Sequence, residues 1–107
     1  MPIDITNENF KNEVEQSNLP VVLDIYAVWC GPCKQMEPIV EQLEKELGSK
    51  YKFAKLNVDQ SRELAIKYGV TSIPTFLFIK SGNVVHKETG YMNKEDLRAK
   101  IENSLGK

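Results

Sequence analysis

Two hydrophobic periods alternate along the chain. Met1 to Ile5 reads as a short strand, and Thr6 stands as an N-cap before a helix that carries Phe10 and Val14 on one face. Pro20 opens a new segment, in which Val21 to Val28 is almost continuously apolar and β-branched. That is the pattern of a strand buried on both faces of a mainly parallel sheet. Met36, Ile39, Val40, Leu43 and Leu47 then recur at helical spacing, with Glu and Lys opposite, Gly48 as C-cap and a kink expected at Pro38. Tyr51 to Val58 is the next strand. A short helix with Leu64 and Tyr68 follows, capped by Asp59 or Ser61 and ended by Gly69. Thr75 to Lys80 and Val84 to Thr89 flank Ser81-Gly82-Asn83 and predict an antiparallel hairpin, after which Asn93 caps a last helix with Leu97, Ile101 and Leu105 at steps of four. Crossovers bring strands together in parallel and the hairpin adds one antiparallel pair. The order therefore predicts an α/β fold with a central mixed five-stranded sheet flanked by four helices.

Length and composition narrow this picture. Two independent cores would each be too small in 107 residues, so a single domain over residues 1–107 is expected. Fourteen basic and fifteen acidic residues are mixed along the chain; no basic stripe suggests nucleic-acid binding. The first ten residues do not have the form of a secretory signal, and the longest apolar run, Val21 to Trp29, is broken by Asp24. It is far below the roughly 18 residues that suggest a membrane span. With only two cysteines, three apart, a reducing compartment fits better than an extracellular cross-linked domain. The expectation is an unexported, cytoplasmic monomer that contacts neither membrane nor nucleic acid.

Trp29-Cys30-Gly31-Pro32-Cys33-Lys34 lies where the buried strand ends and the amphipathic helix begins. Free N–H groups and the positive end of the helix dipole collect there and stabilise an anion, so Cys30 should ionise more readily than a free cysteine, whose pKa is about 8.5. Pro32 suits a first helical turn, Gly31 lets another chain approach, and Cys33 lies on the same helix face as Cys30. A bridge between them closes a very small loop and restrains the unfolded chain little. An exposed disulfide of this kind is suited to exchange rather than support. A zinc site is disfavoured, because the single histidine, His86, lies in a distant strand and no second cysteine pair exists; no metal is expected. Asp24 in the middle of an apolar strand is costly to bury charged, so its pKa should rise. Read by itself it is either a proton acceptor or a satisfied structural acid.

The motif together with Asp24, Pro38, Lys55-Leu56-Asn57-Val58-Asp59, Ile73-Pro74-Thr75, Lys80 to Gly82 and Gly90 resembles the thioredoxin family over nearly the whole length. The resemblance implies a thioredoxin fold and a protein-disulfide reductase. Cys30 would attack a substrate disulfide and Cys33 would resolve the mixed disulfide. Asp24, beneath the pair, would assist deprotonation of Cys33, with Lys55, Gly31 and Pro32 modulating. It implies a cis bond before Pro74 and a docking surface of Trp29, Ile73, Pro74 and Gly90 for disulfide-containing protein substrates. For Trp29 the residues alone leave core packing equally open. The implied electron donor is thioredoxin reductase, a flavoprotein, and no cofactor is bound by the chain itself. Tyr26 stands where the family often has tryptophan, and Val28 and Tyr91 are unusual beside the docking surface, which bears on partner preference. Two other functions compete: a disulfide-forming oxidase or isomerase, and a binding or assembly module whose thiols are dispensable.

Overall fold

A computed structural model describes residues 1–107. Its strands are β1 (Ile3–Asp4), β2 (Val21–Tyr26), β3 (Lys52–Asn57), β4 (Thr75–Lys80) and β5 (Asn83–Thr89), and its α-helices are α1 (Gly31–Leu47), α2 (Arg62–Lys67) and α3 (Lys94–Leu105). A single π-helical turn, Lys11–Glu15, makes the fourth helical element. The strands form one sheet in the order β1-β3-β2-β4-β5. β1 and β2 run parallel to β3, while β4 runs antiparallel to both β2 and β5. This is the mixed five-stranded sheet the hydrophobic pattern predicts.

β2 is central, and its alternation sorts the core into two halves. Val22 faces the side that holds Met36, Val40 and Leu43 of α1 and Leu97 and Ile101 of α3, with Phe76 and Phe78 of β4 beside them. Val21, Leu23 and Ile25 face the other side, against Phe10 just before the π-helical turn, Val14 within it, and Leu64 and Tyr68 around α2. Period two thus places Asp24, between Leu23 and Ile25, on the α1 side of the sheet.

Local differences from the sequence expectations have physical causes. β2 stops at Tyr26 because Ala27 to Trp29 turn back, with the Cys30 N–H donating to the Ala27 carbonyl at 3.2 Å, and Val28 is exposed. Thr6 caps as expected: its hydroxyl accepts from the Asn9 N–H at 3.3 Å while the Asn9 side chain accepts from the Thr6 N–H at 2.8 Å. The helix then widens, with the Gln16 N–H reaching the Lys11 carbonyl at 2.9 Å, five residues back. α1 runs through Pro38, which removes one backbone donor without ending the helix. Ser61 takes the N-cap position of α2 but makes no side-chain cap bond. The hairpin turn is one residue shorter than predicted. Lys80 pairs with Asn83, and Ser81 and Gly82 both have positive φ, 52° and 80°, which matches the right-handed twist of the flanking strands. Asn93 caps α3 by accepting from the Asp96 N–H at 2.8 Å.

Leu43 is wholly buried between α1 and the sheet. Leu43→Ala should lower the unfolding free energy by about 2 to 5 kcal/mol, measured by denaturant titration; a loss within error of zero would contradict this packing.

Candidate active site

Cys30 is the N-cap of α1. Its backbone is extended (φ -88°, ψ 115°), and its Sγ accepts from the Cys33 N–H at 3.2 Å, the position that a serine or threonine oxygen takes in an ordinary cap. Gly31 and Pro32 form the first turn. The two cysteines are disulfide-bonded, with Cα atoms 5.2 Å apart. No acidic residue stands in the first turn of α1, so nothing there offsets the positive end of the helix. A thiolate at Cys30 would be stabilised by the same N–H groups.

The pair is less open than its position suggests. Cys30 is 6% and Cys33 3% exposed, because Ala27, Tyr26, Val58 and Ile73 pack around them. The expectation of an exposed disulfide is therefore corrected: only an edge of Cys30 reaches the surface, and Cys33 lies behind it. Part of this cover comes from far along the chain. The Ile73 carbonyl lies 3.9 Å from Cys30 Sγ, and the Ile73–Pro74 bond is cis. The Gly90 N–H donates to the Pro74 carbonyl at 2.8 Å, and Gly90 has a φ of 91°, where a side chain would be strained. A Cβ on Gly31 would meet nothing within 4 Å, so the surface above the first turn is open.

Trp29 is 68% exposed, which removes core packing as an account of it. Its indole N–H donates to Asp59 Oδ2 at 2.8 Å, and this holds the ring beside the cysteines. Trp29 and Ile73 share a groove of about 450 Å³ with Val58, Ile66, Val70 and Arg62. The structure thus brings together Trp29, Cys30, Gly31, Pro32, Cys33, Ile73, Pro74 and Gly90 at one end of the sheet.

Asp24 lies on the α1 side of β2. It is buried, and its Oδ1 has no hydrogen-bond partner in the protein. Burial, followed by the negative charge of Glu37, raises its pKa from 3.8 to about 7, with Lys55 pulling the other way. Lys55 sits opposite Asp24 in the β2–β3 register, yet its Nζ is 3.8 Å from Asp4 Oδ1 and 6.0 Å from the Tyr26 ring centroid, so its charge is drawn to other partners. Sequence reasoning takes Asp59 as a helix cap and part of the family pattern without a role at the site, and does not single out Glu37. For Glu37 a signal was present: it stands four residues after Cys33 on the same helix.

No group of three or more His, Cys, Asp or Glu side chains is arranged to hold a metal ion, and His86 pairs instead with Glu88 on β5. No helix is long and apolar enough to cross a membrane.

A cysteine pair bridged across the first turn of a helix, at the end of a central strand and beside a cis-proline loop, defines a thiol–disulfide oxidoreductase. The family model described as Thioredoxin matches residues 1–103. Among curated relatives, the chain is 39% identical to a thioredoxin of Rickettsia bellii over 105 residues, covering 98% of this chain and 100% of that protein. It is 42% identical to the thioredoxins of Rickettsia typhi, over 94% of this chain and 96% of that one, and Bacillus subtilis, over 94% of each. The chain belongs to the thioredoxin family, and it is a protein-disulfide oxidoreductase with Cys30 and Cys33 as its redox pair.

The burial of Asp24 has a testable effect on stability. Unfolded, the carboxyl ionises near 3.8; folded, at about 7. Between those values the folded chain holds the extra proton, so the Asp24 contribution falls as pH rises through the window. The full penalty, on the order of 4 kcal/mol, stands above it. Asp24→Asn should therefore be more stable than the parent at roughly pH 9 by a few kcal/mol, with the gap closing toward roughly pH 4. Parallel stability–pH curves for the two proteins would contradict this account.

Proposed function

We propose that the chain works as a reductase of protein disulfides, one unit over residues 1–107, with Cys30 as nucleophile, Cys33 as resolving thiol and Asp24 as proton acceptor. The observation that carries the reading is the Cys30 cap: the sulfur at the surface edge accepts the Cys33 N–H at the start of α1 and needs no movement of the backbone to receive negative charge. Starting from the dithiol, Cys30 thiolate attacks one sulfur of a substrate disulfide. A Cys30–substrate bond forms, the substrate S–S bond breaks, and the first substrate thiolate leaves and takes a proton. Cys33 then gives its proton to the Asp24 carboxylate, and its thiolate attacks Cys30 Sγ. The Cys30–Cys33 bond forms, the Cys30–substrate bond breaks, and the second substrate sulfur leaves as a thiolate that takes a proton; the substrate gains two electrons and the enzyme loses them. Asp24 is suited to this step because a pKa of about 7 makes it a better base than an ordinary carboxylate while it is still partly ionised at neutral pH.

Trp29, Ile73, Pro74 and Gly90 would seat an extended substrate segment, with the groove beside Trp29 taking its apolar side chains. Gly31 and Pro32 shape the first turn, and Lys55 tempers the acidity of Asp24 from β3. The oxidised pair is returned to the dithiol by thioredoxin reductase, a flavoprotein. A reducing, cytoplasmic setting is supported by cysteine use, since both cysteines of the chain belong to the redox pair. The chain acts as a monomer in this reading, since a permanent interface over the cysteine pair would cover the reacting sulfur.

Reduction of a small disulfide-bonded protein tests the roles. Cys30→Ser should bring turnover to background. Cys33→Ser should accumulate a covalent adduct with the substrate that excess small thiol dissolves. Equal turnover by both variants, or adduct formation by Cys30→Ser instead, would overturn the assignment.

A further inference from the structure

Two cavities flank the face of α1 that crosses β2, and one side chain borders both. The smaller, about 30 Å³, is lined by Pro2, Asp24, Glu37, Val40, Glu41 and Lys55. The other, about 130 Å³, is lined by Tyr26, Ala27, Val28, Cys33, Lys34 and Glu37. Glu37 is four residues beyond Cys33, so the helix sets the two side chains next to each other. Glu41, a further turn along, borders only the Asp24 cavity. Proton donor and proton acceptor of the resolving step thus each lie against a space that has Glu37 at its rim.

The other charges around Asp24 are few. Glu41 joins Glu37 from α1, and Lys55 faces Asp24 from β3 but is held toward Asp4 of β1. Tyr26 follows on the same face of β2, and β4 places the apolar Phe76 opposite. α3 contributes the apolar Leu97 and Ile101 to this half of the core. Lys55, the one cation lining the Asp24 cavity, is shared with Asp4, and Glu37 makes no ion pair, although Lys34 borders the other cavity with it.

We propose that Glu37 is a positioning residue for the resolving step, which acts through Asp24: its carboxylate, at the rim common to both cavities, strengthens Asp24 as the base that receives the Cys33 proton. This rests on Asp24 being that proton acceptor. Negative charge beside a buried carboxylate favours its protonated form, and the same charge makes the ionised form a stronger base. The direction agrees with Glu37 standing ahead of Lys55 among the influences on Asp24.

The test uses the full chain and two readouts: the titration midpoint of the Asp24 carboxyl by nuclear magnetic resonance, and the pH dependence of substrate-thiol release from the mixed disulfide in a single turnover. Glu37→Gln should move both midpoints down together, by about half a pH unit, the size of one charge acting across partly hydrated space. Glu63→Gln on α2, away from both cavities, should move neither. In an Asp24→Asn background, Glu37→Gln should leave the release profile where it was. An unmoved Asp24 midpoint, a moved midpoint with an unmoved release profile, or a release profile that still moves without Asp24 would each overturn the proposal. If Asp24→Asn alone leaves the release profile unchanged, the proton-acceptor reading fails, and the role of Glu37 fails with it. If Asp24→Asn changes the profile and Glu37→Gln does not, only the role of Glu37 falls.

Discussion

The site depends on one hydrogen bond, from the Cys33 N–H to Cys30 Sγ. Helices usually begin on an oxygen, because a short polar side chain can satisfy a backbone donor that has no partner within the helix. Here a sulfur takes that place, so the start of α1 and the redox centre are one structure. The donor that caps the helix in the disulfide state is the donor that would steady a thiolate in the reduced state. Little reorganisation is then required between the two. The strand before it adds rigidity: β2 is held by β3 on one side and β4 on the other, and it ends a few residues before Cys30.

The central strand also carries the least favourable residue in the core. Burying Asp24 without a partner for Oδ1 works against folding at neutral pH and above, and the lysine opposite does not remove that cost. The magnitude separates this carboxylate from those on the surface. Glu46, exposed and bridged by Lys94 and Arg98, belongs to the class of ion pairs that contribute about 1 kcal/mol or less. A penalty several times larger, carried on the strand that leads to the cysteine pair, is what the proposed role of Asp24 would account for, since local instability is retained where chemistry needs it.

Much of the fold was legible because it follows from periodicity. Alternation in β2 and β4 separates the two halves of the core, and the helical repeat from Met36 to Leu47 sets the face of α1 that covers one of them. Cys30 as the start of a helix was legible for the same reason: an apolar strand ends and an amphipathic helix begins within a few residues. What could not be read locally depends on contacts between distant segments. The near burial of Cys30 comes partly from Ile73, 43 residues on, and the pose of Trp29 comes from Asp59, 30 residues on. The π-helical turn and the two-residue hairpin leave the hydrophobic pattern almost unchanged, so periodicity could not report them. Glu37 reads in sequence as one more acidic residue on a charged helix face; only the position of α1 over β2 brings it to the rim of the Asp24 cavity.

Chemistry and recognition therefore have different origins in this chain. The cap that would stabilise a Cys30 thiolate lies within the first turn of one helix. The surroundings of Cys30 are drawn from four separate stretches: Trp29, the Val58–Asp59 segment, the Ile73–Pro74 loop and Gly90. The last three lie outside α1, so the cap of that helix does not depend on them. Val28 and Tyr91 are both exposed near these stretches. Asp24, Lys55 and Glu37 form a third layer, set by the register of β2 against β3 and by the seat of α1. None of the three lines the groove beside Trp29, so in the proposed reading this layer acts on the second half of the reaction rather than on docking.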